Sequence, residues 1–258
     1  MTRDEDATAT RSPLPRLHLI VDPVLCWERG SAPADLVTRA VAGGRAVAVH
    51  VRGPGLAAAE LWRVAADLRA AIAPPALLIV NDRADIAVAV GADGVQLGGR
   101  GLPIAAARRV VGARLLLGRS VHSVAEARAA EREGADYALL GTIYPTASHP
   151  TANSGGLALV RAARATVGLP IIAIGGIDET TMNAVLDAGA DGAAVLRAVG
   201  AASDPDRAIA ALYALAHGNT GATGALPLSD RATRWPASGA SGAPGPGAAR
   251  RLPQGEDT

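Results

Sequence analysis

The sequence is poor in several things that would otherwise decide a function class. It has one cysteine, Cys26, so neither an internal disulfide framework nor a Cys-based zinc site is available. It has no phenylalanine and only 2% aromatic residues, which leaves no platform for stacking bases and requires a core built from Ala, Val, Leu and Ile. The charges nearly cancel, at +1, which a dedicated nucleic-acid binder would not show. No uninterrupted apolar run reaches the roughly 18 residues of a membrane span. The N-terminal stretch alternates acidic and basic residues ahead of two prolines and lacks the apolar stretch of a secretory signal. These features exclude nucleic-acid and membrane partners and indicate a cytoplasmic location. What is abundant is aliphatic: 49% of the 258 residues are hydrophobic, enough for one large α/β domain or two small ones.

Both ends read as disordered. Residues 1–16 are polar and proline-interrupted, and 218–258 turn to Gly, Pro, Ala and Ser, a composition that buries too little apolar area to offset its chain entropy. Between them, residues 17–217 alternate short aliphatic runs with Ala-rich helical patterns. Strands are expected at Leu17–Asp22, Ala46–Val51, Leu77–Val80, Gly94–Leu97, Leu115–Ser120, Tyr137–Gly141, Ile171–Gly175 and Ala193–Leu196. Helices are expected near Ala34–Ala42, Ala57–Ala71, Arg83–Val90, Ile104–Val111, Val124–Glu133, Leu157–Thr166, Thr180–Asp187 and Pro205–Ala216. Ser123-Val124-Ala125-Glu126 has the pattern of a capping box, and Asp204-Pro205 that of an N-cap with proline at the first helical position. A Gly-Ala-Asp phrase recurs at Gly91, Gly134 and Gly189, each time where a helix ends and a strand begins. Eight β/α units in this length fit a single-domain TIM (β/α)8 barrel; a doubly wound sheet lacks its Gly-x-Gly-x-x-Gly loop.

A TIM barrel carries its chemistry at the C-terminal ends of the strands. That rule selects Asp22, His50 with Arg52, Asn81-Asp82-Arg83, Gln96, Ser120 with His122, the loop from Gly141 to Gly156, Gly175-Gly176, and Leu196-Arg197. The last two groups follow the seventh and eighth strands, where barrels commonly hold phosphate on backbone amides; the plainer reading is two tight turns. His122 has the proton-shuttling chemistry of an imidazole, or merely packs in its loop. Asp82 is a metal-ligand candidate or a cap for the next helix, and no second carboxylate follows the fourth strand, where Gly98-Gly99-Arg100-Gly101 stands.

These segments resemble the thiamine-phosphate synthase superfamily, including its thiazole tautomerase branch. The resemblance rests on Val80-Asn81-Asp82-Arg83, Gly91 to Gly98, Gly118-Arg119-Ser120-Val121-His122-Ser123, Gly141 to Thr146, and Ala173 to Ile177. For a synthase it implies a magnesium-dependent joining of hydroxymethylpyrimidine pyrophosphate to thiazole phosphate, with Asp82 on the metal. The synthase pattern Gln-x-Arg-x-Lys reads His50-Val51-Arg52-Gly53-Pro54 here, its second carboxylate falls on Gly101, and its strand-six lysine falls on His149. For the tautomerase branch the resemblance implies a metal-independent aromatisation of a carboxythiazole phosphate, with His122 moving the proton.

The departures put the tautomerase first, with no cofactor, and the synthase with Mg2+ second. A non-catalytic binder of a phosphorylated ligand comes third. On the tautomerase reading His122 is catalytic. The substrate would be held by Arg52, Asn81, Gln96, Ser120, Thr146, Ser148, Gly175, Gly176, Leu196 and Arg197. The partner is a small thiazole phosphate, and a homo-oligomer is left open.

Overall fold

The computed structural model describes residues 14–146, 154–218 and 225–226. Eight parallel strands close into a barrel in chain order. They are β1 Leu17–Val21, β2 Val47–Val51, β3 Leu77–Asn81, β4 Gly94–Leu97, β5 Leu116–Val121, β6 Tyr137–Gly141, β7 Ile171–Ile174 and β8 Gly192–Val195. β8 returns to β1 with Leu17 opposite Ala193, so no barrel edge is left unpaired. The expected TIM barrel is therefore the observed fold.

The strands read as almost unbroken aliphatic runs because both faces are covered. Leu17, Leu19, Val21, Val47, Val49, Val80, Val95 and Leu117 pack outward against the helices. Ile20, Ala48, Leu77, Ile79, Leu116, Tyr137, Leu139, Ile172 and Ala194 fill the interior, with Leu14 below them. At that lower end Leu14–Pro15 pairs antiparallel with Ala225–Leu226.

The helices are α1 Pro23–Glu28, α2 Pro33–Val41, α3 Ala58–Ala71, α4 Ala84–Ala89, α5 Ile104–Val111, α6 Val124–Glu133, α7 Gly156–Arg164, α8 Met182–Asp187, α9 Arg197–Gly200 and α10 Pro205–His217. Two of them, α1 and α9, go beyond the sequence expectation. α1 starts with Asp22 capping the Val24 and Leu25 amides and proline at its first position, the same signal as Asp204-Pro205 in front of α10. The Ser123 hydroxyl accepts from the Glu126 amide at 3.2 Å, but the Glu126 carboxylate reaches back to the His122 amide, at 2.7 Å, rather than to that of Ser123.

The repeated Gly-Ala-Asp phrase does more than turn the chain. Asp136 accepts from the Leu117 amide of β5 and from the Arg108 guanidinium of α5, each at 2.8 Å. Asp93 makes the same pair of bonds to Leu78 and Arg69, and Asp191 to Ile171 and Arg164. Three arginine–aspartate clamps thus tie helix ends to the starts of neighbouring strands, at the end of the barrel away from the mouth, where such residues serve stability.

Candidate functional site

The strand ends open into a cleft of about 1190 Å3. Arg52, Asn81, Asp82, Ser120, His122, Thr146, Gly175, Gly176, Leu196 and Arg197 all line it, so one local rule about strand ends brought together residues up to 145 positions apart. Gln96 does not line it. Its side chain is wholly buried one level down, where it donates to the Ser120 hydroxyl at 3.0 Å. Ser148 and His149 lie outside the described residues.

On one rim, Asp82 follows β3 with φ of +59°, the one non-glycine residue with positive φ among those described. A carboxylate residue tolerates this left-handed conformation at a cost of about 1–3 kcal/mol, which marks the position as over-determined by its surroundings. Asp82 does not cap α4: its Oδ1 accepts from the Gly98 amide at 2.7 Å, across the β3–β4 loops. A Cβ on Gly101 would sit 2.7 Å from that same oxygen. The position expected to carry a second carboxylate is therefore beside the first, but holds no side chain.

The opposite rim is built around Gly175 and Gly176, with φ of +107° and +64°. Glycine is needed here for packing as well as for backbone access. A Cβ on Gly175 would meet Thr142 Cγ2 at 2.6 Å, and one on Gly176 the Pro145 carbonyl at 2.7 Å. Next to them the chain leaves β8 through Leu196 into the single turn α9, which begins at Arg197. Asp178, at the edge of the cleft, has its pKa held below the usual carboxylate range by hydrogen bonds from Thr180 and Thr181.

Positive charge in the cleft comes from Arg52, Arg100 and Arg197, none of which pairs with a carboxylate among the described residues. All 25 basic side chains of the chain are arginines, so every cation offered to an anion is a planar donor fork rather than a lysine point charge. This total absence of lysine is a signal the sequence held and the strand-end rule did not use.

His122 is exposed at the mouth, and its Nδ1 lies in a short hydrogen bond with the Gly141 carbonyl. A carbonyl only accepts, so Nδ1 carries a proton, and in the neutral ring the lone pair is on Nε2. Nε2 is thus a base atom held by the backbone of β6.

Beneath the cleft the barrel holds polar groups where an aliphatic layer is usual. His18 and His50 are wholly buried, with His18 Nδ1 2.8 Å from His50 Nε2 and His18 Nε2 3.0 Å from the Pro15 carbonyl. Burial lowers both pKa values, that of His18 to about 3, with His18 adding to the fall at His50. His50, which the strand-end rule selected with Arg52, therefore lies beneath the cleft and not at the mouth. Gln96 Oε1 and the Tyr137 hydroxyl converge beside Gly118, where a Cβ would lie 2.2 Å and 2.5 Å from them.

The model of the family described as thiamine monophosphate synthase matches residues 17–199. The thiamine-phosphate synthase of Methanoculleus marisnigri is 44% identical over 185 residues, covering 71% of this chain and 86% of that protein. That of Chloroflexus aurantiacus is 42% identical over 202 residues, covering 78% and 92%. The thiamine phosphate pyrophosphorylase structure from Pyrococcus furiosus superposes with a TM-score of 0.69 at 35% identity, over 80% of this chain and 96% of that one. The 3-hexulose-6-phosphate synthase of Salmonella typhimurium, at 16% identity and a TM-score of 0.61, shares the fold alone.

Proposed function

The chain belongs to the thiamine monophosphate synthase family, and on that footing we propose that it joins hydroxymethylpyrimidine pyrophosphate to thiazole phosphate. The bond between the pyrimidine methylene carbon and the pyrophosphate oxygen breaks with its electron pair leaving on pyrophosphate. The thiazole ring nitrogen forms the new bond to that carbon. This reverses the order suggested by the departures of the sequence, because the named relatives are synthases.

The observation that supports the reading is that one cleft has two rims that could each hold an anion, one with Arg52 and Arg100 and one with Gly175, Gly176 and Arg197. Strands β3 and β7 are half the ring apart, so Asp82 lies opposite Gly175 and Gly176, with Arg52 and Arg100 following the strands on either side of β3 and Arg197 following β8. Two phosphorylated substrates need two such anchors, whereas a tautomerase substrate with one phosphate would use one. The volume exceeds the ~300–1,000 Å3 common for a single ligand.

The donor set fits magnesium only in part. Asp82 supplies one carboxylate, Gly101 supplies none, and no group of three His, Cys, Asp or Glu side chains that could hold a metal occurs among the described residues. That suits an ion held chiefly through substrate phosphates and water, as magnesium often is. Bound there, magnesium would offset charge on the leaving pyrophosphate. Arg52 and Arg100 offer the same offset from the protein side as bidentate donors. Gly175 and Gly176 let the backbone close on the second phosphate, which orients the thiazole nitrogen toward the methylene carbon.

A second reading is favoured by one observation: the Nε2 lone pair of His122, fixed by the Gly141 carbonyl, is what proton transfer on a carboxythiazole phosphate requires. The full chain is incubated with both synthase substrates and Mg2+, and pyrophosphate and thiamine phosphate are measured. Release of both, dependent on both substrates, supports the synthase. No release above the blank, with aromatisation of the carboxythiazole tautomer in EDTA, overturns it in favour of the second reading.

A further inference from the structure

The buried His18–His50 pair has a determinate proton arrangement. The Pro15 carbonyl cannot donate, so His18 Nε2 carries the proton that lies between them. A neutral His18 then has a bare Nδ1, which must receive the proton of His50 Nε2 across the 2.8 Å contact. His50, neutral in turn, is left with a lone pair on Nδ1, an atom that is buried and has no partner. Two more features meet there. His50 stands opposite Ile79 in the β2–β3 pairing, so Asn81, two residues on and also facing inward, is its diagonal neighbour toward the mouth. With its oxygen turned inward, Asn81 Oδ1 is also buried without a partner. The Asn81 side chain is within hydrogen-bonding reach of His50, so two unmet acceptors face each other.

Turning the Asn81 amide by half a turn fills the same space and removes both deficits, since its NH2 then donates to His50 Nδ1. We propose that His50 is a positioning residue for Asn81: the chain Pro15–His18–His50 locks the Asn81 amide nitrogen inward and its carbonyl oxygen outward. Asn81 lines the cleft, so it presents a fixed acceptor there, matched to an N–H or O–H donor on the bound ligand. The ordering passes through neutral imidazoles and adds no charge beneath the cleft. In the synthase pattern a glutamine takes this strand position, where His50 supports Asn81 from below.

Long-range 1H–15N correlation spectra of the uniformly 15N-labelled full chain at pH 7.5 test the arrangement, with His18→Gln and His50→Gln used to assign the signals. Both imidazoles are expected as neutral rings protonated on Nε2. A proton on Nδ1 of His50, in either a neutral or a doubly protonated ring, overturns the proposal. The second arm rests on the reaction proposed above and compares His50→Gln with His50→Leu. A glutamine can donate to His18 and accept from Asn81 at once, so it should keep KM for the substrates within about twofold of wild type. Leucine should raise KM about tenfold with kcat within about twofold, the loss expected for one unlocked hydrogen bond. Equal KM for the two variants overturns the positioning role. The spectra need no turnover, so the proton arrangement stands or falls separately from the reaction.

Discussion

Acidification should destabilise this protein through the His18–His50 pair, in a pH range where carboxylates are still largely ionised. Both rings are wholly buried and held neutral, with the pKa of His18 brought from 6.5 to about 3 and that of His50 also well below 6.5. In the unfolded chain each returns to about 6.5 and binds a proton that the folded state refuses. Stability is therefore full above pH 6.5, falls as pH drops through that value, and goes on falling toward about 3 for His18. At pH 5 the unfolded state gains about 2 kcal/mol from His18, and His50 adds to the loss in the same direction. Against a typical total of about 5–15 kcal/mol this is a large share. Urea denaturation followed by circular dichroism at pH 7.5, 6.5, 5.5 and 5.0 measures the loss. The His18→Gln/His50→Gln double variant should show a much flatter dependence, whatever its stability at pH 7.5. A wild-type loss under about 1 kcal/mol between pH 7.5 and 5.0, or an equal slope in the double variant, would refute the reasoning.

Other outcomes follow from the same structure. Asp136→Ala removes the acceptor for both the Leu117 amide and the Arg108 guanidinium and should cost about 2–4 kcal/mol by denaturation, with kcat unchanged, because the clamp lies away from the mouth. Gly118→Ala places a methyl 2.2 Å from both Gln96 Oε1 and Tyr137 Cζ, so thermal unfolding should show at least about 1–3 kcal/mol of destabilisation. Asp82→Asn keeps the left-handed backbone and an acceptor for the Gly98 amide; folding should change by under about 0.5 kcal/mol, while pyrophosphate release falls about a hundredfold. His122→Ala should slow tautomer aromatisation at least about a hundredfold if that activity is present, and lower pyrophosphate release by less than about tenfold.

Much of the barrel was legible because its signals are local. Runs such as Leu77–Val80 and Ile171–Gly175 are too short for helices and too apolar for anything but a sheet covered on both faces. The strand-end rule then placed Arg52, Asn81, Ser120 and His122 at one mouth without any knowledge of distances. Where it failed, the cause was depth. Gln96 and Asn81 both stand at the ends of inward-facing strand positions and pair across β3 and β4, yet one is wholly buried and the other lines the cleft. The stagger of strands around the ring decides which inward side chain ends at the surface, and no spacing within one strand reports it. α1 was a different kind of omission, since Asp22-Pro23 carries the same start signal as Asp204-Pro205.

What the sequence determined by itself was the order of elements, the barrel class and the cast of polar residues at the mouth, because backbone propensity, periodicity and caps act over a few residues. Only the tertiary structure decided which of those residues act together. Asp82 finds its partner 16 residues away in Gly98, Asp136 finds Arg108 28 residues away, and His18 meets His50 across 32. Such pairings arise from barrel closure, which brings strands into register through space, and a hydrogen bond responds to that distance and to nothing along the chain.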